Sequence, residues 1–185
     1  MGKTIIMSER EFIQYIEHFK MHFNLLLRRY KRFKEINDLS NTDIDVITYL
    51  DMIIVQLRSM CVESPNLKKN YTAQNLLCLM KRDDLARKID NMLDEDFFSY
   101  RDCTIKTALK IMADNYICHY DNFEDDDIAW AEIIEKQLRN PFEEKNLDYI
   151  MKTVIDCVGE GLSLKTFIDA FGAEEDICQN NILPE

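Results

Sequence analysis

The sequence predicts an all-α fold, an up-and-down helical bundle, and three observations carry that reading. Only four glycines and three prolines punctuate 185 residues, too few for the tight turns of an all-β chain or for a glycine-rich phosphate loop. Apolar residues recur at steps of three and four along most of the chain, which is the period of a helix face. Ser8 with Glu11, and Thr42 with Asp45, have capping-box spacing at the points where two periodic stretches begin.

The elements follow in order. Phe12, Ile16, Phe19, Phe23, Leu26 and Phe33 lie on one stripe and predict a long amphipathic helix over 9–36. Ile44, Ile47, Leu50, Ile54 and Leu57 define a second helix reaching about Cys61, and Ser64-Pro65-Asn66 ends it. Residues 72–81 and 83–93 read as short helices. Residues 104–118 read as a longer one carrying Ile105, Ala108, Leu109 and Met112, with His119 at its end. Two more are expected over 127–138 and 146–158, bounded by Pro141 and by Gly159 and Gly161, and Ser163 can cap a last helix closing at Gly172. Short connections between amphipathic helices favour antiparallel neighbours. The expected organisation is a bundle over 1–125, its core the first, second and fifth helices, with acidic C-terminal helices over 126–185 packing on it as one domain.

Charge narrows the partners. The net charge is −11, yet residues 120–185 hold 17 acids and 5 bases, while residues 1–119 hold 17 acids and 18 bases. The N-terminal helices can therefore present a locally basic face to nucleic acid. No stretch reaches about 18 consecutive apolar residues, and residues 1–7 are too short for a signal peptide. A soluble, cytoplasmic protein without membrane contact is the expectation. The six cysteines form no C-x-x-C pair, so they read as reduced core residues rather than a zinc or disulfide framework.

Three local patterns carry chemistry. Arg28, Arg29, Lys31, Arg32 and Lys34 crowd one short stretch, and Arg28, Arg29 and Arg32 are candidate RNA-phosphate contacts; Tyr30 and Phe33 among them continue the core stripe. His18 and His22 stand four apart and share a helix face, but no carboxylate completes a metal set, so they read as polar-face or interface residues and no metal or cofactor is expected. The acidic run 121–127 lacks the glycine and the closing glutamate of a calcium loop, and its last aspartates suit the start of the next helix.

The stretch Ala113-Asp114-Asn115-Tyr116-Ile117-Cys118-His119-Tyr120-Asp121 is similar to the signature of the HEPN superfamily, an arginine and a histidine separated by four to six intervening residues. Upstream, residues 49–77 (YLDMIIVQLRSMCVESPNLKKNYTAQNLL) resemble the helix, loop and short helix that precede the motif in the abortive-infection branch, so the likeness covers roughly residues 10–125. It implies an HEPN-type bundle with extra C-terminal helices that homodimerises and pairs two motifs across the interface. It also implies a metal-independent ribonuclease of phage defence or a toxin–antitoxin system, with RNA and a cognate antitoxin as partners. His119 takes the catalytic histidine's place, with Asp114 and Asn115 as the polar residues of the same helix end. Ala113 stands where the family has arginine, which implies a degenerate centre, since alanine neither holds phosphate nor stabilises a phosphorane. Lys110, one turn back, offers a point charge to RNA. The rival expectation is a non-enzymatic all-α interaction module whose acidic C-terminal third engages a basic partner.

Overall fold

Ser8 opens the first helix as its spacing predicts. Its Oγ accepts from Glu11 N–H at 3.3 Å, and Glu11 Oε2 accepts from Ser8 N–H at 2.8 Å. In the computed structural model, which describes residues 8–37, 44–63, 71–99, 101–117 and 125–163, this helix is α1 (Glu9–Ile36). It is followed by α2 (Ile44–Leu57), α3 (Ala73–Leu79), α4 (Asp83–Leu93), a hairpin of β1 (Asp96–Phe98) and β2 (Arg101–Thr104), α5 (Ile105–Lys110), α6 (Asp125–Arg139) and α7 (Leu147–Gly161). The all-α character is as expected: helices dominate the described residues, and the only sheet among them has two strands. Thr42, the acids at 121–124 and the helix expected after Ser163 lie outside the described residues.

The core forms where the apolar stripes meet. Phe19, Leu26 and Phe33 of α1 face Leu50, Ile53, Ile54 and Leu57 of α2, and all are buried. Behind them α3, α4 and α7 pack together, with Leu77, Ile89 and Val154 fully enclosed. Gly161, at the end of α7, allows a close approach: a Cβ there would lie 2.1 Å from Leu77 Cδ2. Cys61, Cys103 and Cys157 are buried thiols and Cys78 is exposed; none of the four is in a disulfide. No helix among the described residues is long and apolar enough to cross a membrane.

Two features depart from the expectation. The antiparallel hairpin pairs Asp96 with Thr104 and Phe98 with Arg101; its strands are three and four residues long, too short for a period-two pattern to register. It delivers Phe97 and Phe98 into the core, where Phe98 meets Trp130 of α6 at 5.1 Å between ring centres. The helix expected over 104–118 is α-helical only through Lys110, and Ile111–Ile117 continue it as π-helical turns. α2 likewise ends in a π-helical stretch, Arg58–Val62. Such turns are rare and often mark sites under functional constraint.

Candidate functional site

The two π-helical stretches are fastened to each other by an ion pair. Arg58 Nε lies 2.8 Å from Asp114 Oδ1, and its Nη2 donates to Asp114 Oδ2 at 3.2 Å. Its Nη1 donates to Glu63 Oε1 at 2.6 Å. Asp114 is thus a partner to a cation rather than an open acid, and Arg58, between two carboxylates, has little charge left for a phosphate. Ala113 is 1% exposed. The position that matches the motif arginine faces the core, where a guanidinium would be buried without a partner. Asn115 lies on the π-helical turns, its side chain outside the described residues, as is all of His119. Lys110 is exposed at the end of α5.

The basic stretch of α1 does not form one patch, because a helix turns about 100° per residue. Arg28 and Arg32 point to solvent, Arg32 pairing with Glu35 at 3.1 Å. Lys34 pairs with Asp148 of α7, which also accepts from Tyr30 Oη at 2.8 Å. Phe33 is buried, and Arg29 turns into a groove between α1 and α2.

That groove has a volume of about 650 Å³. His18, His22, Leu25 and Arg29 line it from α1 at spacings of four, three and four, so one helix face supplies all of them. Asp51, Met52, Val55 and Gln56 line it from α2, Phe19 forms the floor, and Tyr71 stands beside His18. Gln56 is buried, with its amide in use at both ends: Nε2 donates to the His22 carbonyl, and Oε1 accepts from Arg29 Nη1 at 2.8 Å. Arg29 is thereby positioned by a neutral group and has no acidic partner among the described residues.

The rings are contiguous. His18 lies 4.4 Å from His22 and 4.2 Å from Tyr71, centroid to centroid, with tilted planes. Neither imidazole hydrogen-bonds through its ring to a described residue. Burial, then His18, then Arg29 lower the basicity of His22, which favours its neutral form. Asp51 is pushed up to about 6 by burial and by the charge of Glu135 on α6. The remaining acid of the groove, Glu63, is held by Arg58. No cluster of three or more histidine, cysteine, aspartate or glutamate residues able to hold a metal ion occurs among the described residues.

Sequence reasoning placed His18 and His22 on a polar face or an interface and missed that they share a groove with Arg29. The four-three-four spacing was the available signal; Tyr71 and Gln56 reach the site only through tertiary packing. Comparison with protein-family models, with curated proteins and with solved structures finds no match for this chain.

Proposed function

We propose that the chain is an HEPN-like, homodimeric RNA-binding protein of the phage-defence or toxin–antitoxin kind whose ribonuclease centre is degenerate. Two features support degeneracy: Ala113 is packed in the core, and Arg58, the guanidinium that reaches the motif helix from the end of α2, is saturated by Glu63 and Asp114. Attack of a 2′-hydroxyl on the neighbouring phosphate lacks its stabilising cation there, while binding needs only accessible positive charge. The observation that carries the reading is that two arginines of α1, Arg28 facing solvent and Arg29 at the groove, have no acidic partner among the described residues.

A fluorescently labelled single-stranded RNA, titrated at several salt concentrations, tests it. Replacing all three arginines by glutamine should weaken binding and reduce the log–log salt slope by about 2, at roughly 0.7 per phosphate contact on single strands. Unchanged affinity and slope would remove these arginines from the function. Absence of RNA binding at low salt would favour the protein-interaction module instead, a reading supported by Ile13, Met21 and Leu25, which leave apolar surface exposed on α1, Met21 at 59%. Sedimentation at micromolar concentration checks the homodimer; a monomeric mass would rule out a site composed across two copies.

A further inference from the structure

The groove holds a stronger recognition element than the surface arginines beside it. Most cations of the molecule whose partners are described are matched by acids: Arg32 by Glu35, Lys34 by Asp148, Arg58 by Glu63 and Asp114, Arg139 by Glu135. Arg29 is matched by an amide. Gln56 occupies one of its five N–H donors and fixes the direction of the fork without cancelling its charge, an arrangement suited to a planar, bidentate acceptor such as a phosphate ester. His22, two turns back on the same face, adds a neutral ring with an N–H donor.

The rest of the groove defines what the phosphate belongs to. His18 and Tyr71 form a ring pair, and every nucleobase has a π-face for such a surface. Of the two acids of the groove, Glu63 is engaged by Arg58, and Asp51, pushed up to about 6 by burial and Glu135, gives up its charge, and with it any repulsion of an anion, only as pH falls through that value. An apolar ligand would leave the part-buried guanidinium unpaired, and a divalent cation would find no ligand cluster among the described residues. A volume of about 650 Å³ falls in the range of small-molecule sites and excludes a duplex.

We infer that the α1–α2 groove binds one nucleotide unit, with Arg29 and His22 on its phosphate ester and the His18–Tyr71 ring pair against its base. This deepens the RNA-binding reading if the unit belongs to a strand, and stands apart from it if the unit is a free mononucleotide. The phosphate ester is common to both sources.

The test uses the full chain with three probes: uridine monophosphate, uridine, and a labelled twelve-nucleotide uridine RNA. Uridine monophosphate should bind at least about tenfold more tightly than uridine, and Arg29→Gln should weaken it by about tenfold, the size of one charge-assisted contact. Tyr71→Leu should weaken both small probes. Arg28→Gln with Arg32→Gln, outside the groove, should weaken the RNA alone. In the unaltered protein, saturating uridine monophosphate should protect His18 and His22 from diethylpyrocarbonate, mapped by mass spectrometry; this arm needs no variant to fold. RNA binding that ignores Arg29→Gln and leaves both histidines open to the reagent overturns the groove site and spares the RNA reading. Mononucleotide binding that depends on Arg29, without RNA binding, supports the groove site and overturns the RNA reading. Binding of none of the probes, or of uridine as tightly as its monophosphate, overturns the groove site.

Discussion

Arg29 and Arg82 put the same side chain to opposite uses on two different pairs of helices. Arg82, at the foot of α4, donates to both carboxylate oxygens of Asp84 at 3.0 and 2.9 Å and also to Glu160 of α7. Those hydrogen bonds raise its affinity for its proton, the bond to Asp84 foremost, and Arg82 in turn holds Asp84 down at about 2. The α4–α7 face is thus closed electrostatically, its cation spent on joining two helices. The α1–α2 face is open, because Gln56 orients Arg29 and leaves its charge for another molecule. A cation between acids fastens the fold; a cation steered by an amide remains available for recognition.

The largest effects should come from the cores beneath the two faces. Phe19, under the groove, and Leu77, under Gly161, are both fully buried. Their replacement by alanine should cost about 3–5 and 2–5 kcal/mol in urea denaturation. Only Phe19→Ala should also weaken uridine monophosphate, and equal weakening by Leu77→Ala would break the contrast between the faces.

Asp51 gives a smaller effect with a definite pH signature. A carboxyl whose folded value is raised contributes stability below its unfolded value, near pH 4, and that contribution is lost as pH rises through about 6. Asp51→Asn should therefore stabilise the protein at pH 8 by about 1 kcal/mol, a figure discounted for the solvent that reaches the side chain. The gain should vanish below pH 4. His22 runs the other way: lowered by burial, it loses stability as pH falls below its unfolded value. Measuring Asp51→Asn beside the unaltered chain isolates the carboxyl, and a gain independent of pH would mean that Asp51 is not strained by its charge.

The smallest effects sharpen the comparison within one helix. Gly159 is exposed, and a Cβ added to it would meet no atom within 4 Å, whereas Gly161 lies against Leu77. Gly159→Ala should raise stability by about 0.5–1 kcal/mol through helix propensity. Gly161→Ala should gain less or lose, because the Leu77 methyl must move within a closed core. Equal gains would show that α7 does not pack tightly there.

Much of the fold was legible because α1, α2, α4 and α7 each repeat their apolar positions over two or more turns. Ser8 and Glu11 even located the first helical turn. The hairpin was not legible, since the three residues Asp96–Phe98 are too few for a period-two alternation to repeat. Nor was the passage from α- to π-helical turns at Ile111, which leaves the same residue types in sequence. The groove was half legible. His18, His22 and Arg29 share a face by spacing alone, but the contacts of Tyr71 and Gln56 with them exist only once α1 and α2 are packed. Ala113 shows the reverse problem: read by resemblance as standing where an arginine belongs, it is buried, because the helix carrying it turns that face inward.

Asp148 gives α1 a rotational stop. Tyr30 and Lys34, one turn apart, both donate to this single carboxylate at the start of α7, so α1 cannot roll about its long axis without surrendering both contacts together. The bearing of the groove is set from there, by a residue 118 positions further along the chain than Tyr30. A change at Asp148 would act on ligand affinity by misaligning the walls, with every groove side chain still in place.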